Sequence, residues 1–430
     1  MKKVSFWVMV CLLLITASCK KNDSRMLSTI PADTPYVVVL NTEQIGAKLI
    51  KDPKALANIK GIDKKVGEVF EKAAKIIDEK EPMAVFEYNN TPVVSVIIKS
   101  EDDFKQFAQE MEIGTLSNHS GVWVSNRGDV FMRDNQVWFT SGSTTFTDQS
   151  VRMLENLKEG KSLADQDEAS ELLSKDVDMC GLVGVDKTLS SMGGNKQMSM
   201  GTSLLFDNME YVYFETKFDK SAINFTITPL DKNYKAAKCA LPSAKIDMNT
   251  LKGYTGQGNL FMAMAIDPEF LKGIVSQYGS LMGPYKGMFD ILVNINGTIV
   301  ASANTETDDF GMMLNFNSPE NAARGAEYVE DFMPIDRATA SIDGTKLYVH
   351  TEQQQGQPIS SVADKFTGCE FAFSWKLPQQ LNYPVKDIIV TGKREGNTLI
   401  FKGSLSTEPG ANSLVRLLEA TSKQNIGKFN

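Results

Sequence analysis

The chain has little of the chemistry from which enzyme active sites are usually recognised. Its 2 histidines, His119 and His350, lie far apart in the sequence. Histidine is the usual general base and a common metal ligand, so a two-histidine site would need these positions to meet by chance. No G-x-S-x-G serine motif occurs, and Gly160-Lys161-Ser162 is not a phosphate-binding loop because Glu155 replaces its first glycine. We therefore expect no enzyme activity, no cofactor and no metal site.

An excess of positive charge and a membrane-spanning segment are also missing. The 45 Lys and Arg residues are outnumbered by 53 Asp and Glu residues, which gives a formal net charge of −8. Nucleic acids and anionic membrane surfaces attract basic proteins, so we expect neither as a partner. No apolar run after the first residues reaches the roughly 20 residues that a spanning helix needs. Acidic residues at 165–168 are expected to begin a helix, and those at 306–309 to form a hairpin tip, with a weak calcium site as the alternative for the second cluster.

The N-terminus has the order of a bacterial lipoprotein export signal. Two lysines are followed by an apolar run at 6–15, by small residues at 16–18 and by Cys19. This order predicts a signal peptide at 1–18, cleavage before Cys19 and attachment of lipid to that cysteine. We expect a lipid-anchored protein of the bacterial cell envelope, with the outer membrane as its membrane and the face of that membrane left open. Residues 19–29 are expected to form the lipidated start and a polar tether.

Cysteine is scarce in the mature chain. Once Cys11 is removed with the signal and Cys19 carries lipid, Cys180, Cys239 and Cys369 remain. An odd number at irregular spacing does not indicate a disulfide framework. We expect three buried thiols, with Cys180 and Cys369 in strands and Cys239 at the end of a helix; one disulfide plus one free thiol is the alternative.

One pattern recurs four times in the mature chain, and in each copy a strand runs into the start of a helix. The copies lie at 36–49, 179–192, 260–274 and 369–381. Asp186 and Asp267 are natural N-caps in the middle two copies, and Asn41 or Thr42 takes this part in the first. Each copy then returns in paired strands and is predicted to enter a second helix. The segments that contain the returning strand and this helix are 92–111, 223–240, 313–329 and 399–420. Turn signals at Asn296-Gly297, Asp343-Gly344 and Gly396-Asn397 predict hairpins.

The copies pair into two predicted halves, 30–248 and 249–430. The first half contains an additional hairpin at 123–142, and the second has one at 338–351. The predicted fold class is α+β, internally duplicated, with antiparallel sheets and helices packed on one face. Apolar residues at three- and four-residue steps predict a long helix at 54–80 that packs over the first sheet; the alternative is that this helix binds a partner.

These segments resemble a family of Bacteroidota-type lipoproteins that is defined by a domain of unknown function. The residues that carry the resemblance are the export signal, the opening IPADTPYVVVLNTEQIGAKL at 30–49 and the repeated strand–helix units. The segment GKSLADQDEASELL at 160–173 is similar to a wider set of duplicated envelope proteins. The resemblance covers essentially the whole mature chain and implies an envelope location and a duplicated fold. The family has no established activity, so no functional residue is implied.

Methionine is frequent, with 20 residues in the chain. Two segments, 192–206 and 278–289, combine it with glycine and aromatic residues, a lining that adapts to variable apolar partners. We expect them to edge an apolar groove, the alternative being ordinary connections packed against the core. Met262 and Met264 alternate within a strand and are expected in its core. The candidate groove residues are Met192, Met198, Met200, Met282, Met288 and Phe289.

A non-enzymatic binding or structural module of the envelope is the first functional prediction, with another envelope protein as its partner. The alternative is a carrier of an apolar small ligand or lipid that uses the methionine-containing segments. An enzyme whose carboxylates meet only in the folded chain is the third class.

Replacing the predicted lipid attachment site tests the anchor. We expect Cys19→Ser to move the protein from the membrane fraction to the soluble fraction, because the lipid is the only membrane attachment that the sequence predicts. Fractionation followed by immunoblotting measures this, with Cys180→Ser as the control that stays in the membrane fraction. Retention of the Cys19→Ser protein in the membrane would contradict the prediction.

Overall fold

The first strands of the two predicted halves each lie inside an antiparallel sheet. The computed structural model describes residues 25–50, 72–73, 75–111, 113–141, 145–186, 188, 205–278, 291, 293–307, 309–332, 338–351, 356–378, 384–410 and 412–418. The first compact unit contains the described residues of 1–203, 208–236 and 408–430, and the second those of 204–207 and 237–407. Strands and helices both occur and the strands pair antiparallel, so the predicted α+β class is confirmed.

The first unit contains one large antiparallel sheet. In the order of hydrogen-bonded neighbours its strands run β11-β10-β8-β1-β2-β3-β7-β6-β5-β4. The two-residue strand β9 belongs to the second unit. The strands of the first unit are β1 (Tyr36–Leu40), β2 (Met83–Tyr88), β3 (Thr91–Ile97), β4 (Leu116–His119), β5 (Val122–Ser125), β6 (Val130–Arg133), β7 (Gln136–Thr140), β8 (Met179–Gly184), β10 (Tyr211–Asp219) and β11 (Ala222–Leu230).

The second unit contains a sheet with the order β22-β21-β20-β14-β15-β16-β18-β17. The second unit also contains two separate two-stranded sheets, one formed by β9 and β12 and the other by β13 and β19. The strands are β9 (Phe206–Asp207), β12 (Lys238–Cys239), β13 (Gln257–Gly258), β14 (Leu260–Ile266), β15 (Gly297–Asn304), β16 (Asp309–Asn315), β17 (Ala338–Asp343), β18 (Lys346–Thr351), β19 (Gln357–Pro358), β20 (Phe371–Lys376), β21 (Val385–Glu395) and β22 (Thr398–Thr407).

The two sheets follow the same strand order when β14 is matched with β1 and β20 with β8. The first sheet then continues past this common part with β5 and β4. The match also holds in register, because equivalent backbone hydrogen bonds end both strand pairs: the Asn41 amide donates to the Asp178 carbonyl and the Ala265 amide to the Glu370 carbonyl, each at 2.9 Å. In this register Val37 of β1, which pairs with Leu182 and Phe86, matches Phe261 of β14, which pairs with Ser374 and Ser302. Every position of one central strand therefore has a definite counterpart in the other.

Helices begin where the sequence places capping side chains. The Ser100 hydroxyl accepts a hydrogen bond from the Asp103 amide at 3.3 Å, and the Asp267 carboxylate accepts one from the Glu269 amide at 2.8 Å. The Asn41 side chain accepts one from the Gln44 amide at 3.1 Å. The helices whose two ends are both described are α1 (Arg25–Ser28), α2 (Thr42–Ile50), α3 (Glu101–Glu110), α4 (Asp148–Glu155), α5 (Asp167–Leu173), α6 (Met248–Gly253), α7 (Pro268–Tyr278) and α8 (Pro319–Phe332).

The end of the predicted tether, from Arg25 to Thr29, is part of the folded first unit. The side chain of Met26 is completely buried, and Leu27 and Thr29 are buried beside it. The Gln136 amide donates hydrogen bonds to the Thr29 hydroxyl at 3.0 Å and to the Ser95 hydroxyl at 2.8 Å. The expectation of a tether reaching residue 29 is therefore wrong, because the apolar side chains in this polar segment pack into the core.

Three local predictions in the second unit also need correction. Cys239 lies in strand β12, since residues 231–237 form a turn rather than the predicted helix. Gly297 begins β15 instead of forming a hairpin turn, whereas Gly344 and Gly396 do occupy hairpin turns with φ of +60°. Met262 and Met264 are half-buried, because Phe261 and Ala263 on the opposite face of β14 take the core positions.

Among the described residues, buried apolar side chains form a large cluster in the first unit and two clusters in the second. The first core is built on Val37, Phe86 and Trp138. The clusters of the second unit are built on Phe261 and Phe366 and, separately, on Phe316. Of the predicted helix at 54–80, residues up to 71 and residue 74 lie outside the described part, while Ala73, Ile76 and Ile77 are buried.

The three predicted cysteine thiols, Cys180, Cys239 and Cys369, are free and buried, as expected. Burial, with the nearby Glu215 carboxylate, raises the pKa of the Cys180 thiol to about 12. A thiol in this state is inert at neutral pH, because the thiolate is the reactive form.

A buried carboxylate precedes the same strand in each unit. Asp178 lies before β8 and forms an ion pair with Lys48 of α2. Its counterpart Glu370 lies before β20, where the Arg394 guanidinium donates two hydrogen bonds to it, at 2.9 and 2.8 Å. The Ser243 hydroxyl donates a third at 3.0 Å. A paired arginine fork satisfies a buried carboxylate better than a single contact does.

Removing this carboxylate should destabilise the second unit. We expect Glu370→Gln to cost about 3 kcal/mol, because it leaves a largely buried guanidinium without its anionic partner. Hydrogen exchange of peptides from β20 and β21, read by mass spectrometry, measures the loss. Glu395→Gln is the control, since the Glu395–Lys402 pair at 2.7 Å is exposed and contributes little. Equal exchange in the two variants would contradict the prediction.

Candidate functional site

The lipid site Cys19 and the six residues of the predicted apolar groove lie outside the described residues; the six are Met192, Met198, Met200, Met282, Met288 and Phe289. His119 ends the exposed strand β4 of the first unit, and His350 is part of β18 in the second unit. In the described ranges, no three His, Cys, Asp or Glu side chains come together as a metal site. Helices of the described chain are all too short or too polar to cross a membrane. Of the acids at 165–168, Asp167 and Glu168 begin α5, as predicted, and Asp165 ends the turn of 3-10 helix before it.

The second unit contains an open pocket of about 460 Å³, within the size range of small-molecule sites. It lies on one face of the sheet, near one end of the neighbouring strands β14, β15, β20, β21 and β22. The segment that contains β19 and the two turns of 3-10 helix after it (Ile359–Ser361 and Ala363–Phe366) lines the opposite side. The lining residues are Gly258, Asn259, Phe261, Asn304, Glu306, Gly356, Gln357, Ser361, Val362, Lys365, Ser374, Lys376, Leu377, Pro378, Asp387, Ile389 and Ser406.

The depth of each side chain divides this lining into a buried floor and an exposed mouth. Phe261, Asn304 and Ser374 are buried, with Ser374 at 6% and Asn304 at 8% exposure. The Asn304 side chain also accepts a hydrogen bond from the Glu306 amide at 3.0 Å, which fixes the turn at the rim. A small apolar floor that carries polar groups is suited to orienting a bound molecule.

Two glycines form part of the pocket wall by close backbone approach. Gly258 of β13 pairs with Gln357 of β19, and a Cβ at Gly258 would overlap the carbonyl of Ala303. Gly356 has φ of +132°, and a Cβ there would lie 2.7 Å from the Gly258 Cα atom. The close packing of these backbones therefore requires glycine at both positions.

Four charged side chains surround the mouth. Glu306, Lys365 and Lys376 are exposed, and Asp387 is half-buried. Lys376 and Asp387 are cross-strand neighbours in the β20–β21 pair. Within the described part of the chain, none of the four side chains forms an ion pair. Both signs of charge are thus presented to the pocket.

The matching positions of the first unit are filled by apolar and aromatic side chains. Leu182 takes the position of Ser374, Tyr213 that of Ile389, and Leu230 that of Ser406. All three first-unit residues are buried in the core of that unit.

The same contrast holds at the rim. Tyr211 stands at the position of Asp387 and Tyr88 at that of Asn304, and both pack against the core of the first unit. Tyr211 stacks on Tyr234 with ring centroids 4.7 Å apart, and the Tyr234 hydroxyl donates to the Ala32 carbonyl at 3.1 Å. Large rings close this end of the first sheet, whereas short polar side chains leave the second open.

A smaller depression of about 230 Å³ lies elsewhere in the second unit. Tyr254, Met312 and His350 are among its lining residues. Burial raises the pKa of Tyr254 to about 12, and its hydroxyl lies 2.7 Å from that of Ser302. The phenol thus takes part in the core and is not poised for proton transfer at neutral pH.

The sequence predictions missed the larger pocket. Glu306 appeared only as a solvated hairpin tip, and the other lining residues gave no motif. An available signal was the alignment of the repeats: Ser374 in FAFSWK stands where MCGLVG has Leu182. A position that is apolar in one copy and polar in the other indicates that the two copies do not bury that part of the sheet in the same way.

Comparisons with known proteins give little beyond this. No protein-family model and no curated protein matches the chain. Solved structures similar to it include crystal forms I and III of TP0453, at 8% and 6% identity. Each alignment covers 81% of this chain and 98% or 99% of the solved chain, with TM-scores of 0.29 and 0.31. These scores are too low to establish a shared fold, and no functional conclusion is taken from them.

Substitution of the wall glycine tests the close approach of β13 to β15. We expect Gly258→Ala to destabilise the second unit by about 1–3 kcal/mol, because the added methyl group overpacks a closed site. Hydrogen exchange of peptides from β14 and β15 measures the loss. Gly253→Ala is the matched control, since open space surrounds Gly253 at the end of α6. Protection in the Gly258→Ala variant equal to that in the control would contradict the prediction.

Proposed function

We propose that this protein is a non-enzymatic binding module of the bacterial envelope, anchored in the outer membrane by lipid on Cys19. The pocket in the second unit is its binding site. The single observation that carries the binding role is this pocket of about 460 Å³ with a polar floor and unpaired charges at its mouth. The export signal at 1–18 supports the location.

The contrast between the units supports a division of roles. A buried polar group costs stability when nothing satisfies it, so Ser374 is an unfavourable substitute for an apolar core residue. The first unit fills the same position with Leu182, which is buried in its core and needs no hydrogen-bonding partner. The second unit is therefore the binding unit, and the first is a scaffold.

The shared strand order also supports an internal duplication, with halves near those expected at 30–248 and 249–430. Duplication followed by divergence explains why one copy kept a filled core and the other opened a pocket. Helices packed on one face of each sheet belong to the same proposal. A carrier built on 192–206 and 278–289 is the alternative, and it rests on those segments alone.

Filling the pocket with the residue of the first unit tests the binding role. Small molecules are extracted from the purified, membrane-anchored protein and identified by mass spectrometry. We expect a polar compound to be recovered with the wild-type protein and lost from Ser374→Leu, because the leucine occupies the floor. Ser341→Leu on β17, whose side chain does not line the pocket, is the matched control and should retain the compound.

An unchanged melting temperature in both variants shows that the fold is intact. Recovery of the same compounds from all three proteins, or of none from the wild type, would contradict the proposed binding site.

A further inference from the structure

We propose that the pocket binds a short peptide with a free ammonium group and a free carboxylate. This inference rests on the proposed binding role of the pocket and adds the chemical class of its ligand. The juxtaposition that carries it is two cations and two anions around one polar cavity.

The charges at the mouth are complementary to a ligand that carries both signs. Lys365 and Lys376 supply ammonium groups for a carboxylate, and Glu306 and Asp387 supply carboxylates for an ammonium. Across the described residues, these four side chains have no ionic partner of their own. Lys376 and Asp387 stand opposite each other in the strand register but do not pair. A ligand with one charge would leave two like charges of the protein uncompensated.

The floor is suited to peptide groups. The hydroxyls of Ser374 and Ser406 line the pocket and make no hydrogen bond to another described residue. Each hydroxyl donates one hydrogen bond and accepts others, which matches an amide that presents both N–H and C=O. Phe261 and Ile389 lie among these hydroxyls and offer apolar contact to small side chains.

The size of the pocket also favours a peptide over a single ion. A volume of about 460 Å³ is far larger than an inorganic anion or a cation requires, and it leaves room for a chain of a few residues. The pocket is open at its mouth, where the charged groups lie, so the two charged ends of the ligand remain near water. This placement avoids the high cost of burying unpaired charge.

Isothermal titration of the full-length lipidated protein in detergent tests the ligand class. The probes are tri-alanine, its N-acetylated form, its C-terminal amide and the doubly blocked peptide. We expect tri-alanine to bind, and each single block to weaken binding by about tenfold, the effect of about 1.4 kcal/mol. The doubly blocked peptide should bind more weakly still.

Substitutions of the four charged side chains identify which of them contacts the ammonium end of the peptide and which contacts its carboxylate end. Lys365→Gln or Lys376→Gln should lower the affinity for tri-alanine and abolish the difference between tri-alanine and its amide. Asp387→Asn or Glu306→Gln should abolish the difference between tri-alanine and its acetylated form. Lys402→Gln, at an exposed lysine outside the pocket, is the control and should change neither ratio. A doubly blocked peptide that binds as tightly as tri-alanine would overturn the proposal.

A neutral disaccharide separates failure of this inference from failure of the binding role. Suppose that the disaccharide binds the wild-type protein but not Ser374→Leu, and that tri-alanine does not bind. The pocket is then a binding site, and the proposal that its ligand is a peptide is wrong. If neither probe binds and no compound is extracted from the wild-type protein, both proposals fail.

Discussion

The inward face of each sheet must be covered along its whole length, and the rest of the structure depends on how this is done. Side chains of a strand alternate between two faces, so β1 buries Val37 and Val39, and β14 buries Phe261 and Ala263. These four residues set the register, because a shift of one position would turn the apolar set outwards. The segments before β8 and β20 complete the cover, with Leu163 and Leu173 in the first unit and Ile359 and Phe366 in the second.

At one end of the sheet the two units meet this requirement differently. In the first unit Tyr211, Tyr213 and Leu230 fill the space, and the hydroxyl of Tyr213 is satisfied by the Leu172 carbonyl at 3.1 Å. In the second unit the counterparts are Asp387, Ile389 and Ser406, which are too small to fill the same space or too polar to be buried in it. Water or a ligand must occupy the pocket that results, because a void lined by polar groups is not stable when dry.

Polar anchors outside the pocket keep the second unit folded despite this opening. The Glu370–Arg394 pair fixes the start of β20 to β21, and these two strands carry Ser374 and Ile389. Gly258 and Gly356 bring β13 and β19 together at the pocket wall. The site is therefore built on strands held in register, and side-chain geometry on such strands is better defined than on loops.

The sequence by itself determined the α+β class, most strand and helix positions and the burial of the three cysteines. These follow from local rules: alternation in YVVVL, the caps Ser100 and Asp267, and the turn glycines Gly344 and Gly396. It could not determine that Met26 is a core residue or that Cys239 lies in a strand, because Met26 contacts Gln136, 110 residues along the chain, and Cys239 pairs with Phe206 of the two-residue strand β9. Only the tertiary structure decided the site, since Asn304, Ser374, Asp387 and Ser406 are separate in sequence and come together through strand pairing. Each is an ordinary polar residue alone, and the pairing of β15, β14, β20, β21 and β22 makes them one surface.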